Sequence, residues 1–155
     1  MTTSTDTRQL TVIDLLLEQH ARIEELFQLV ETSVGEDKRA AFDELAALLQ
    51  IHEAAEAELV HPLAAQDADS GTEVINARLE EEDDAKDLLA GLIESGTEAA
   101  SFDTDFQALR VAVLEHATRE ERYEFGRLKN THPQEFLVRL AEEVREFQAA
   151  QGSSA

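Results

Sequence analysis

The chain contains no cysteine. This absence excludes disulfide bonds, thiolate metal ligands, iron–sulfur clusters and cysteine nucleophiles. Any metal ion that the protein binds must therefore be held by histidine and carboxylate side chains. The sequence offers 5 histidines and 34 aspartates and glutamates for that role.

Proline and glycine, which interrupt helices, are scarce, with 2 and 6 among 155 residues. Because 43% of the residues are hydrophobic, we predict one folded domain rather than a disordered chain. No apolar run approaches the roughly 20 residues that span a bilayer, and the polar start MTTSTDTRQL lacks the apolar segment of a signal peptide. We therefore expect a cytoplasmic protein that does not use a membrane as a partner.

Positive charge is also in short supply, with 13 Lys and Arg against 34 Asp and Glu and a formal net charge of −21. The phosphate backbone of nucleic acids and the surface of anionic membranes carry the same sign and would repel this chain. The composition excludes nucleic-acid binding as a main function and favours cationic partners, including metal ions.

Apolar residues recur every three or four positions in four long segments, which is typical of amphipathic helices. These segments are 11–33, 38–66, 72–95 and 103–129, with breaks at Gly35, Gln66–Gly71, Ser95–Thr104 and Thr131–Pro133. Short breaks indicate antiparallel neighbours, so we predict an all-α, up-down-up-down four-helix bundle followed by a fifth helix at 134–149. In this prediction residues 11–150 form the domain, and residues 1–10 and 151–155 are disordered tails.

An internal repeat supports this arrangement. When the first helix pair is laid over the second with an offset of about 62 to 64 residues, His52 and Glu56 fall on His116 and Glu120. The identities are few, and helical sequences align easily, so the repeat is supporting rather than decisive.

Each predicted helix carries a polar residue in the middle of its apolar stripe. These residues are His20, His52, Glu56, Glu82, His116 and Glu120. In an antiparallel bundle they converge at one level, where unpaired buried carboxylates would cost several kcal/mol. A pair of metal cations is the simplest means of neutralising them, and a glutamate from each of two facing helices could bridge the pair. The alternative is a structural polar layer without metal.

Glu82 has a second interpretation, because Lys86 follows at the spacing of an ordinary helical ion pair. His61 comes nine residues after His52, about 180° around an ideal helix, so we expect an outer role beside the site rather than ligation. Tyr123 is expected to fill the core or to donate a hydrogen bond near the site. Glu24, one turn after His20, is a further candidate for the outer layer.

These residues resemble the hemerythrin-like HHE cation-binding domains, which carry a His on helix 1, HxxxE on helix 2, a His on helix 3 and HxxxE on helix 4. The matching segments are LLLEQHARIEELF, IHEAAEAELVHPL and LEHATREERYEF, within about residues 11–130. The resemblance implies two irons per chain with an oxo or hydroxo bridge, although zinc or manganese would also suit the site. It further implies that Glu56 and Glu120 bridge the irons and that the terminal ligands are His20, His52, His116 and Glu82.

The chain departs from the family pattern at helix 3, where Glu82 stands in place of a histidine. It also lacks the second helix 3 His pair and the HxxxxD motif of the oxygen-carrying hemerythrins, so reversible oxygen carriage is not expected. The resemblance implies a monomeric or homodimeric diiron protein that binds or reacts with oxygen, peroxide or nitric oxide in sensing or redox defence against oxidative stress. The alternatives are a diiron enzyme with catalase-like peroxide breakdown and a metal-free acidic helical interaction module.

Overall fold

The computed structural model of the chain describes residues 10–63 and 71–153. In chain order its elements are α1 (Val12–Thr32), α2 (Gly35–Ala55), the π-helical turn π1 (Glu56–Val60), α3 (Gly71–Ser95), α4 (Phe102–Arg119), the π-helical turn π2 (Glu120–Glu124), α5 (Phe125–Thr131) and α6 (Gln134–Ser153). No strand occurs within these two ranges, and none of their helices is long and apolar enough to cross a membrane.

The helices pair as the sequence predicts. A capping box formed by Thr11 and Asp14 starts α1, because each side chain accepts a hydrogen bond from the other residue's backbone N–H. Ser33 and Val34 alone separate α1 from α2, so the chain must reverse there. Helix α1 packs along α2 and α3 along α4, while α6 covers α1 and α2. The predicted all-α bundle with a fifth helix is confirmed.

Some predicted boundaries differ from those in the structure. Helix α6 continues to Ser153, four residues beyond the expected end at 149, because Ala149, Ala150 and Gln151 are good helix formers. The predicted tails and the break at Gln66–Gly71 fall largely outside the described residues. Both long helices that carry an HxxxE motif also contain a π-helical turn, which the sequence analysis does not predict.

Two apolar clusters fill the bundle, one on each side of the polar layer. The first contains the phenylalanines Phe27, Phe42, Phe102 and Phe106, whose ring centroids lie 5.2 to 6.2 Å apart in the contacting pairs. The second joins the start of α1 to π1, α5 and α6. Since an apolar cluster packs on each side of the polar layer, the polar side chains between the clusters are held away from bulk water.

Two glycines near the end of α3 should respond oppositely to alanine. Gly96 has φ of +87°, where a β-carbon is strained, so Gly96→Ala should lower the free energy of unfolding by about 1 kcal/mol. Gly91 lies inside α3 with open space around it, so Gly91→Ala should raise that free energy by a similar amount. Urea denaturation of both variants checks the pair. Two changes of the same sign would contradict it.

Candidate metal centre

Seven side chains from both halves of the chain meet between the two apolar clusters. Their potential ligand atoms form two groups, each lying within 4.8 Å, which we call the four-donor group and the five-donor group. The four-donor group is His20, His52, Glu56 and Glu120, and the five-donor group is Glu56, His61, Glu82, His116 and Glu120. Glu56 and Glu120 belong to both. The structure thus brings together all six residues that the sequence proposes as ligands and adds His61.

In the four-donor group the imidazoles turn their Nε2 atoms toward the shared carboxylates. His52 Nε2 lies 3.0 Å from Glu56 Oε2, and His20 Nε2 lies 3.2 Å from Glu120 Oε1. The two Nε2 atoms are 3.1 Å apart. Four donor atoms therefore surround one point between α1, α2 and the start of π2.

The five-donor group has the same organisation on the other side of the shared carboxylates. His116 Nε2 lies 3.3 Å from Glu82 Oε2 and 3.9 Å from Glu56 Oε1. His61 Nε2 contacts the same Glu82 oxygen and lies 3.8 Å from Glu120 Oε2. Glu56 and Glu120 turn different oxygens toward the two groups, so each carboxylate presents one oxygen to each group.

The structure turns His61 toward this centre, whereas the sequence analysis expects it to point away. The reason is π1, in which the backbone N–H of His61 donates to the carbonyl of Glu56, five residues earlier. A π turn inserts one extra residue into the helix, so the rotation from His52 to His61 is about that of eight α-helical residues instead of nine. His61 therefore lies on the same helix face as Glu56. Burial shows the same shift, since Val60 is fully buried in place of Leu59, the predicted member of the stripe.

The second π turn has a matching effect on Tyr123. The sequence predicts that Tyr123 fills the core or donates a hydrogen bond near the site, but its side chain is 56% exposed and Glu124 is buried instead. In π2 the N–H of Phe125 donates to the carbonyl of Glu120, which again inserts one residue and rotates Tyr123 outward. Glu24 is exposed at the rim of a cavity that reaches His20, and within residues 10–63 and 71–153 its side chain forms no hydrogen bond or ion pair with the His20 ring.

All four imidazoles in the centre are oriented by an acceptor on the outside. Each Nδ1 faces its acceptor as the donor, which directs Nε2 inward and, in the neutral ring, leaves Nε2 without hydrogen and able to bind a metal ion. The acceptors and their distances are Glu121 for His20 at 2.7 Å, Gln19 for His52 at 2.8 Å, Glu124 for His61 at 2.7 Å and Glu81 for His116 at 3.1 Å. The sequence analysis missed these four residues. Their pattern is typical of histidines that ligate a metal.

The shared carboxylates are buried with unsatisfied oxygens. Glu56 and Glu120 are fully buried, and among the described residues no oxygen of either side chain makes a well-oriented hydrogen bond, although histidine Nε2 atoms lie 3.0 to 4.0 Å away. His116 Nε2 makes none either. Buried carboxylates without partners are costly unless a cation neutralises them. Divalent or trivalent metal ions that accept nitrogen and oxygen ligands fit this donor set.

Without metal, the centre shares protons among its histidines and glutamates. Burial lowers the pKa of His20, but the close approach of Glu120 and Glu56 outweighs burial and raises it to about 10. Burial also opposes protonation of His61 and His116, but nearby carboxylates raise the pKa values to about 11 and about 12. Burial, together with the charge of Glu56, holds the pKa of Glu120 well above its usual range. In the metal-free protein, protons on these histidines thus balance the negative charge of the buried carboxylates.

A cavity of about 510 Å³ opens onto the four-donor group. His20, His52 and His116 line it, and its walls include the apolar side chains of Leu17 and Ile23. A cavity of this size admits a small molecule to the histidines.

The sequence model of the hemerythrin HHE cation binding domain matches residues 11–128. This chain belongs to that family. A hemerythrin HHE cation binding domain-containing protein from Mycobacterium kansasii has a similar solved structure, with a TM-score of 0.78 and 21% sequence identity over 91% of this chain and 89% of that one. That similarity supports the fold alone. A search of curated protein sequences found no relative of this HHE chain.

Glu82 stands out in this hemerythrin HHE domain, and its two interpretations can now be compared. Glu82 is buried, contacts His61 and His116, and forms no ion pair with Lys86 in the described ranges. If Glu82 is a ligand, Glu82→Gln should weaken binding of one of two Co²⁺ ions by at least about 100-fold, while Lys86→Ala should leave both unchanged. Anaerobic Co²⁺ titration followed by visible absorption measures this. Equal binding by both variants would contradict ligation by Glu82.

Proposed function

We propose that this hemerythrin HHE protein is a non-haem dinuclear iron protein that binds or reacts with oxygen, peroxide or nitric oxide. The observation that carries the proposal is the sharing of Glu56 and Glu120 between two groups of ligand atoms. A mononuclear site would need one such group. Two overlapping groups with two common carboxylates fit a pair of ions a few ångströms apart.

Each ion would have its own terminal ligands. His20 and His52 would hold one ion, and His61, His116 and Glu82 would hold the other. Iron suits a mixture of imidazole and carboxylate ligands, and zinc or manganese are the competing metals for the same donors. When bound, two irons supply redox chemistry that none of the protein's own side chains can provide.

The surroundings of the four-donor group favour the approach of a small reactant to that group. The four-donor group offers one side chain fewer than the five-donor group, and two of its histidines line the 510 Å³ cavity, which also reaches His116, while a cavity of about 360 Å³ reaches Glu82. Leu17 and Ile23 line this approach with apolar surface, which suits uncharged diatomic molecules and peroxide. The outer carboxylates Glu121, Glu124 and Glu81 hold the imidazoles by their Nδ1 protons, so that little reorganisation accompanies a change of charge in the centre.

An enzymatic form of this function is the second candidate, and Glu82 is the observation that favours it. Glu82 adds a third carboxylate to the four histidines of the centre, and each added carboxylate stabilises higher metal charge, which suits peroxide breakdown better than reversible binding. Iron-dependent evolution of oxygen from peroxide would support the enzyme. Holoprotein that binds nitric oxide but leaves peroxide unchanged would support a sensor. In either form we propose that the protein works in the cytoplasm as a monomer or homodimer.

Metal analysis tests the proposal directly. Protein purified aerobically from iron-supplemented cells should contain about two irons per chain. His116→Ala should lose much of this iron, whereas His132→Ala should retain it. His132 belongs to neither ligand group, and its ring stacks on Phe136 with 4.5 Å between the ring centroids. Wild-type protein that contains no metal, or an equal loss in both variants, would overturn the proposal.

A further inference from the structure

The C-terminal helix reaches the centre through a pair of glutamine side chains. Gln148 on α6 donates from Nε2 to Gln19 Oε1 at 3.1 Å, and Gln19 Nε2 donates back to Gln148 Oε1 at 2.8 Å. Gln19 Oε1 also accepts the Nδ1 proton of His52 at 2.8 Å. A continuous chain of hydrogen bonds therefore joins α6 to His52.

His52 differs from the other three imidazoles in the kind of acceptor it has. The others donate to carboxylates, which present an oxygen whichever way they turn. Gln19 is a neutral amide with one oxygen and one NH₂ group, so only one of its two orientations can accept from His52. The opposite orientation would favour hydrogen on His52 Nε2, the atom that lies 3.0 Å from Glu56 Oε2.

Gln148 holds the Gln19 amide in place beside His52. Its own oxygen and NH₂ group face the complementary groups of Gln19, and both side chains are half-buried, which strengthens the pair. We propose that Gln148 is a positioning residue that holds the Gln19 amide against His52 Nδ1 and so keeps His52 Nε2 directed toward a metal ion. This inference depends on the proposed dinuclear centre. Residue 148 also lies beyond residues 11–128 matched by the family model, so the contact comes from outside the matched region.

The test is anaerobic titration of the metal-free full-length chain with Co²⁺, followed by visible absorption. Gln148→Ala should lower the affinity for one of the two Co²⁺ ions by about tenfold or more, which is the usual effect of removing a residue that hydrogen-bonds to a metal ligand. The ion held by His61, His116 and Glu82 should keep its affinity. Unchanged affinity for both ions would overturn the inference and leave the proposed function intact.

A matched variant on the same helix separates positioning from packing. Val144 is fully buried in the cluster that joins α6 to α1 and does not belong to the glutamine pair. Val144→Ala should lower the thermal midpoint and leave both Co²⁺ affinities within about twofold of wild type. If Gln148→Ala weakens both ions equally, as a loss of packing would, the positioning role is excluded. Wild-type protein that binds no Co²⁺ would overturn the proposed function and this inference with it.

A conservative replacement provides the rescue. In the double variant Gln19→Glu with Gln148→Ala, the carboxylate accepts the Nδ1 proton of His52 in either orientation and no longer needs Gln148. The affinity lost in Gln148→Ala should return to within about threefold of wild type. A double variant as weak as Gln148→Ala would show that Gln148 does not act by holding the acceptor at position 19 against His52.

Discussion

Replacing Glu120 by glutamine should abolish binding of the metal pair without destabilising the metal-free protein. Glu120 belongs to both ligand groups, so the amide would replace one donor oxygen by NH₂ and remove the negative charge shared by the two ions of the proposed centre. In the metal-free chain, burial and the charge of Glu56 raise the pKa of Glu120 well above its usual range, and glutamine resembles the protonated acid. The thermal midpoint of metal-free Glu120→Gln should therefore equal or exceed that of wild type.

Calorimetry with and without metal measures both effects. At a metal concentration about 100 times the Kd, wild type should gain about 2.7 kcal/mol per bound ion, and the variant should gain almost none. Glu115→Gln is the matched control, because Glu115 lies on the same helix but is exposed and outside both groups. Two ions retained by Glu120→Gln would contradict the bridging role. A large loss of stability in its metal-free form would contradict the raised pKa.

The metal-free protein should lose stability as the pH rises, while stabilisation by metal should grow over the same range. His20, His61 and His116 have folded-state pKa values of about 10 to about 12, against 6.5 for an ordinary histidine. Above pH 6.5 the folded chain keeps protons that the unfolded chain releases. Their contribution is complete below pH 6.5 and disappears as the pH rises through these values, at about 1.4 kcal/mol per pH unit for each proton.

The effect of metal has the opposite sign, because an ion must displace these protons before it binds and displacement becomes easier at high pH. Urea denaturation at pH 6 and pH 9, with chelator and with excess Co²⁺, measures the four free energies of unfolding. The chelated protein should be more stable at pH 6 than at pH 9, and the increment due to Co²⁺ should be larger at pH 9. A metal increment that is equal at both pH values would exclude protonated histidines from the metal-free centre.

The bundle and six of the seven converging side chains are accessible from sequence for a simple reason. Burial imposes a 3.6-residue period, and a polar residue such as His52 or Glu120 inside an apolar stripe is conspicuous. The same period fails for His61 and Tyr123, since each lies beyond or within a π turn that adds one residue to the count. One signal was present in the sequence: a polar His61 beside the apolar Val60 in a helix otherwise patterned toward the core.

The residues that accept the Nδ1 protons of the histidines could not be predicted from the sequence, for a different reason. With 34 acidic residues, nothing local separates Glu81, Glu121 or Glu124 from their neighbours. Gln19 and Gln148 are 129 positions apart, and only the packing of α6 against α1 brings them together. Tertiary contacts of this kind follow from helix packing angles, which the apolar period does not encode.

The two π turns also divide the centre into unequal halves. They begin at Glu56 and Glu120, so His61 and Phe125 are equivalent positions in the repeated hairpin, each following its π turn. His61 donates a ring nitrogen to the five-donor group, whereas Phe125 stacks on His20 with ring centroids 5.9 Å apart and 12° between the planes. A hairpin duplicated with perfect symmetry would present five donors to each ion. Because phenylalanine stands at position 125 where the other half has His61, the four-donor group is one side chain short, and in the proposed dinuclear centre the ion it holds would have room for a small molecule.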